Sequence, residues 1–193
     1  MSNHTLSLSP HPTFKHPKGP VVLIIMDGIG IGKSDNSNAI HLAKTPCIDT
    51  FNNHPLYTEL KAHGTAVGMP TDDDMGNSEV GHNTLGSGRR FDQGATLVQN
   101  AIKSNTLFQG NTWQLLIQNT HQHNSTLHFI GLLSDGNVHS HIEHLKTMIT
   151  QASQEKIKKI RIHILLDGRD VGERTALTYI KNLEIHLNTF NQT

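Results

Sequence analysis

The chain has a single cysteine, Cys47, among its 193 residues. One thiol excludes a disulfide framework or a thiolate zinc site within one chain, and it fits a cytosolic setting best. An excess of either charge is also missing, because 16 Lys and Arg balance 16 Asp and Glu. The sequence therefore carries no electrostatic footprint for nucleic acid or an acidic membrane, and neither partner is expected. Long apolar runs are absent too. The longest, Val21 to Met26, falls far short of the roughly 20 residues a membrane helix needs. No internal repeat is present. The first 19 residues show neither the apolar stretch of a signal peptide nor the Arg-rich pattern of a transit peptide. Apolar residues make up only 35% of the chain and charged ones 17%. The aliphatic residues nevertheless come in runs, so a buried core is expected.

What is abundant is histidine, 15 residues of it. The histidines are scattered rather than paired as His-x-x-x-His, which favours polar surface positions over a metal site. Residues 1–19, with several prolines and many polar groups, read as a flexible N-terminal arm. After them Val21 to Met26 reads as a buried parallel strand. Ala39, Ile40 and Ala43 suggest a helix, Pro46 the start of another, and Tyr57 to Leu60 a short strand. Gly64 to Gly76, rich in Gly, Asp and Pro, reads as an exposed functional loop. Leu97, Val98, Ala101 and Ile102 fit a helix face, and Trp113 with Leu116 a helix core. Leu127 to Leu133 is strand-like. Ile142, Leu145, Ile149 and Ala152 have helical spacing. Ile160, Ile162 and Ile164 alternate as in a strand, and Ala176, Ile180, Leu183, Leu187 and Phe190 return to helical spacing. The order implies an α/β fold with a mostly parallel sheet.

Two segments carry chemistry. Asp27 stands at the end of the first apolar run and is followed by Gly28, Gly30 and Gly32. A carboxylate at the carboxyl end of a buried strand is placed to bind ligands, and its hard oxygens suit Mg²⁺ or Mn²⁺. A glycine-rich turn with Asp27 capping a helix remains the plain alternative. Gly32-Lys33-Ser34 falls one residue short of a phosphate-binding P-loop, with Asp27 where the first glycine belongs, and Lys33 also spoils a dinucleotide fingerprint. Ser78, within Met75-Gly76-Asn77-Ser78-Glu79-Val80-Gly81-His82, precedes a plausible helix. Unpaired N–H groups and the positive dipole end would favour an alkoxide there and hold a phosphoserine. A simple N-cap serine is the competing reading. His82 and His141 read as loop-orienting or solvent-facing. Asp72, Asp73 and Asp74 read as a solvated loop, and Arg89 and Arg90 as phosphate contacts or as surface and hinge residues.

Five segments in order resemble cofactor-independent phosphoglycerate mutase: Asp27-Gly28; His63 to Pro70; Met75 to Asn83; Leu133-Ser134-Asp135-Gly136-Asn137-Val138-His139-Ser140-His141; and Asp167-Gly168-Arg169-Asp170-Val171. The resemblance covers about residues 20–190 and is to the N-terminal portion of a family whose members are more than twice this long. It implies an α/β fold with an alkaline-phosphatase-like first segment, residues 20–92, joined to the first part of a transferase-like substrate domain, residues 93–193, both incomplete. It implies interconversion of 3-phosphoglycerate and 2-phosphoglycerate, a step of glycolysis, through a phosphoserine and with two Mn²⁺ ions, Mg²⁺ or another divalent metal being used in some members. By motif, Ser78 would be the nucleophile and a metal ligand, Asp27 a ligand of the same metal, and His139, Arg169 and Asp170 the substrate-binding residues. The family's later arginines, its phosphate-contacting lysine and its Asp/His metal clusters have no counterpart after Asp170. Little activity is therefore expected of these 193 residues alone, and a complementing C-terminal fragment would be the natural partner. The alternatives are an inactive phosphoglycerate-binding fragment and a related metal-dependent phosphatase or phosphopentose mutase.

Overall fold

The computed structural model describes residues 9–190. Residues 1–8, most of the first half of the expected arm, lie outside the described residues. The chain divides into two units, residues 1–57 and 58–193. In the first, no described residue is buried. It holds two short helices, α1 (Ala39–Leu42) and α2 (Pro46–Asn52). The Asn38 side chain caps α1 by accepting the Ile40 and His41 N–H groups. Pro46 opens α2 where its missing N–H costs nothing.

The expected strand at Val21 to Met26 does not form. The segment has no regular structure, and Val22 and Ile24 are 77% and 78% exposed. A parallel strand needs neighbours to take its N–H and C=O groups. Among the described residues none lies beside it in a sheet. Tyr57 to Leu60 likewise forms no strand.

The second unit begins with a 3-10 turn, Gly64–Val67, followed by α3 (Ser78–Ser87), α4 (Gly94–Lys103), α5 (Thr106–Gln109) and α6 (Asn111–Gln122). Strand β1 (Leu127–Leu133), α7 (Ile142–Gln154), β2 (Ile160–Leu166) and α8 (Ala176–Asn188) then form a strand–helix–strand–helix run. β1 and β2 are parallel, with Leu127 opposite Ile160 and Leu133 opposite Leu166. Period-two alternation sorts the side chains by face. Phe129, Leu133, Ile160, Ile162 and Ile164 pack in clusters with Ile142, Ile149 and Leu183 of α7 and α8. The other face carries His128, Ile130, Arg161 and His163, and Ile130 is 77% exposed.

A second cluster joins Phe108, Trp113, Ile117, Leu127, Ala152 and Ile157. The Phe108 and Trp113 rings meet edge to face at 4.9 Å, a favoured aromatic geometry, and Trp113 Nε1 donates to Glu155 Oε1 at 3.0 Å. Leu116, expected in this core beside Trp113, is exposed instead and Ile117 takes the place. A third cluster, Val67, Met69 and Val80, corrects the reading of Gly64 to Gly76 as an exposed loop. Between Val67 and Met69, Gly68, at φ +86°, lies so close to the Phe91 carbonyl that any Cβ would collide with it. No helix among the described residues is long and apolar enough to cross a membrane.

Candidate functional site

Both strands end at the same edge, and the loops that follow them are joined. The buried Ser134 hydroxyl, just past β1, donates to Asp167 Oδ2, just past β2, at 2.5 Å. Asp167 Oδ1 accepts the Arg169 and Asp170 N–H groups at 2.9 and 3.0 Å. The Ser134 hydroxyl, followed by the Asp170 N–H, holds the Asp167 carboxyl below the ordinary carboxylate range. Asp167 therefore remains an anion that folds its own loop into a turn. Gly136 is packed against that turn so tightly that a Cβ would stand 2.7 Å from Asp170 Cβ and from its carbonyl oxygen.

This turn places Asp170 Oδ2 3.8 Å from His139 Nε2, with the carboxylate side chain 10% exposed and the imidazole 59% exposed. Arg169 is exposed next to it. His139, Arg169 and Asp170 thus share one loop cluster. Two further bonds frame it. Tyr179 of α8 donates its hydroxyl to Asp135 Oδ1 at 2.6 Å, and that carboxylate, with burial next, pushes the phenol's pKa up. The buried Asn137 donates from Nδ2 to Asp74 Oδ1 at 2.8 Å. Asp74 Oδ2 in turn accepts from Thr71 N–H and Oγ, and Asp72 accepts from Thr65 N–H and Oγ. Asp72 and Asp74 thus tie the loop, while Asp72 and Asp73 are exposed, as a solvated loop requires. Ser134, Asp167, Asn137 and Tyr179 were missed as contributors. Only the density of Ser, Asp and Asn after two strands signals them in the sequence.

A cavity of 380 Å³ adjoins the cluster, lined in part by Phe129, Met148, Ile162, His139 and His144. His144 is held neutral-leaning by burial and then by neighbouring His141, both of which lower its pKa. His141 has the structural role expected of it, since its Nδ1 accepts the Glu143 N–H at the start of α7. Arg90 donates Nη1 to the Thr65 carbonyl at 3.0 Å, a surface tie between loops.

Ser78 is the first residue of α3, so the expected helix start is present. The cap, however, is Asn77, whose Oδ1 accepts the Val80 N–H at 2.8 Å. An amide cap leaves the serine one position inside the helix, where its hydroxyl meets His82 Nδ1 at 3.1 Å. Asp27 lies in the first unit, in a turn where the Ile29 N–H donates to the Met26 carbonyl at 3.2 Å and Gly28 takes φ +80°. Among the described residues no three His, Cys, Asp or Glu groups come together as a metal site. A divalent ion prefers about six ligands, and the described residues bring together no such set.

The architecture defines an α/β protein, with polar loops gathered at the carboxyl ends of parallel strands, the edge at which such proteins bind small ligands. Comparison with known proteins narrows the class. The family model described as "BPG-independent PGAM N-terminus" matches residues 98–193. A probable 2,3-bisphosphoglycerate-independent phosphoglycerate mutase of Leptospira interrogans is 53% identical over 189 residues, which is 97% of this chain and 34% of that relative. The mutase of Trypanosoma brucei brucei is 46% identical over 93% of this chain and 32% of its own length. A crystal structure of Leishmania mexicana phosphoglycerate mutase at low cobalt concentration superposes with a TM-score of 0.79 at 46% identity, covering 87% of this chain and 31% of the other. The chain belongs to the 2,3-bisphosphoglycerate-independent phosphoglycerate mutase family and corresponds to its N-terminal portion. It spans about a third of the length of the curated relatives it matches.

Proposed function

We propose that this chain supplies the nucleophile and part of the substrate cradle for the glycolytic interconversion of 3-phosphoglycerate and 2-phosphoglycerate. The observation that carries the reading is the loop cluster after β1 and β2, where Asp170 and His139 stand 3.8 Å apart beside the exposed Arg169. A phosphoglycerate has two anionic ends and a hydroxyl. The Arg169 guanidinium suits an anionic end through paired N–H donors. Asp170 suits the hydroxyl as an acceptor, and His139 beside it donates or accepts as the substrate requires. Ser78, at the amino end of α3, has the dipole and N–H environment that favours an anionic oxygen or a phosphoryl group. Residues 20–92 would hold the nucleophile and residues 93–193 the cradle.

Asp27 and Ser78 are the proposed contributors to a Mn²⁺ or similar divalent site. They amount to only a share of its ligands. The remainder of the site, and with it full turnover, would come from polypeptide corresponding to the other two thirds of the relatives. A cytosolic setting accords with Cys47 as the single, free cysteine of these 193 residues.

The test is a coupled mutase assay with Mn²⁺ and without 2,3-bisphosphoglycerate, on this chain alone and with the remaining portion of a relative added. Little turnover alone, turnover on addition, and its loss in Ser78→Ala are the expected results. Turnover that survives Ser78→Ala overturns the nucleophile assignment. Calorimetric binding of 3-phosphoglycerate that does not weaken in Arg169→Ala overturns the cradle.

A further inference from the structure

The contact between Ser78 and His82 fixes more than proximity. The two residues are four apart on α3, and His82 Nδ1 stands 2.7 Å from the Ser78 carbonyl oxygen as well as 3.1 Å from its hydroxyl oxygen. A carbonyl oxygen can only accept a hydrogen bond. At 2.7 Å a bare Nδ1 would set its lone pair against those of the carbonyl. The contact is attractive only if Nδ1 carries the proton, which leaves the ring's lone pair on Nε2. The helix thus selects the histidine tautomer with no third side chain needed.

We infer that His82 is a positioning residue for Ser78, with its Nδ1–H shared between the serine carbonyl and the serine hydroxyl oxygen. The inference rests on the reading of Ser78 as the nucleophile. The direction of the bond distinguishes this arrangement from the usual serine–histidine pair. In that pair the ring nitrogen facing the hydroxyl carries a lone pair and takes the serine proton. Here the nitrogen facing the hydroxyl already holds a proton, so His82 donates to Oγ and does not accept from it through Nδ1. Two consequences follow. The donated bond restricts the rotation of Oγ about the Cα–Cβ bond. It also favours negative charge on that oxygen, adding to the field at the amino end of α3. Asn77, by capping Val80, holds the turn on which both groups depend.

The experiment uses the intact 193-residue chain, labelled with ¹⁵N and ¹³C. A long-range ¹H–¹⁵N spectrum of the neutral ring separates the two tautomers by nitrogen shift. The expected result is a protonated Nδ1 and a lone-pair Nε2 at His82, unchanged in Ser78→Ala because the carbonyl remains. A protonated Nε2 overturns the inference without any variant having to fold. The Ser78 Hα–Hβ couplings then read the orientation of Oγ. His82→Asn puts an amide N–H where Nδ1 was and keeps the wild-type couplings, whereas His82→Leu shifts them. Wild-type couplings in His82→Leu overturn the positioning role. Neither readout depends on turnover, so failure of the nucleophile reading appears separately, in the Ser78→Ala assay.

Discussion

Ser134 and Asp167, 33 positions apart, are joined by a 2.5 Å hydrogen bond that closes the carboxyl ends of β1 and β2 against each other. Asp167 spends its second oxygen on the backbone of Arg169 and Asp170, so one buried hydroxyl controls a turn that carries two candidate substrate-binding residues. Ser134→Ala should cost about 1.5–3 kcal/mol, the range for hydrogen bonds to a charged group. Urea unfolding measures it. A loss below the error of the melt would show that Asp167 orders its turn without Ser134.

The same bond has a pH signature. The folded-state pKa of Asp167 lies below its unfolded value, chiefly through the Ser134 hydroxyl and the Asp170 N–H. A depressed carboxyl contributes stability that is present above its unfolded pKa, about 4, and is lost as pH falls through the folded value. Stability of the wild type should therefore decline below about pH 4 more steeply than that of Ser134→Ala, whose Asp167 returns toward the ordinary value. Parallel urea melts at neutral and acid pH check this, as does a ¹³C titration of the Asp167 carboxyl.

Gly136 and Gly81 should respond oppositely to the same substitution. A Cβ at Gly136 meets Asp170 Cβ and its carbonyl oxygen at 2.7 Å, whereas one at Gly81, within α3, meets nothing within 4 Å. Gly136→Ala is expected to destabilise by about 1–3 kcal/mol as the Asp170 turn is pushed away. Gly81→Ala should stabilise by up to about 1 kcal/mol, because alanine loses less backbone entropy in a helix. Equal effects in thermal or urea melts would count against the packing described.

Asn77→Ala removes the cap of α3 and should cost about 1 kcal/mol, with Asn77→Ser or Asn77→Asp restoring most of it. Helix-resolved amide exchange at Val80 reports the loss directly, since its N–H is the one Asn77 accepts.

Apolar residues of equal hydrophobicity should behave unequally. Val22→Lys and Ile24→Lys, at sites 77% and 78% exposed, should change stability by no more than about 0.5 kcal/mol. Ile149→Ala, at a site on α7 that is 1% exposed and clusters with Leu133 and Leu183, should cost roughly 2–4 kcal/mol. A large loss at Val22 would mean that the segment is buried in solution.

Within the second unit the elements were legible because their signals are local. Leu127 to Leu133 is a short, mostly apolar run, Ile160 to Ile164 alternates, and Ile142 to Ala152 and Ala176 to Leu187 repeat at helical spacing. Each of these became the element its pattern implies. The site was legible in part. Ser78 and His139 stand in distinctive segments, and Arg169 and Asp170 follow a strand. The residues that hold them, Ser134, Asn137, Asp167 and Tyr179, act through bonds spanning 33 to 63 positions, and no periodicity encodes such pairs.

By itself the sequence determined the α/β class, the helix and strand periods of the second unit and the family to which the chain belongs, because each depends on neighbouring residues or on motif identity. Tertiary structure decided the rest. Val21 to Met26 has the composition of a buried strand, yet strand formation depends on hydrogen bonds from neighbours distant in sequence, and no described strand pairs with it. Val67 and Met69 lie in a stretch that reads as a loop, and they are buried because Val80 and Ala95 come to meet them. The tautomer of His82 was likewise set by geometry, by a carbonyl oxygen one helical turn away that can only accept.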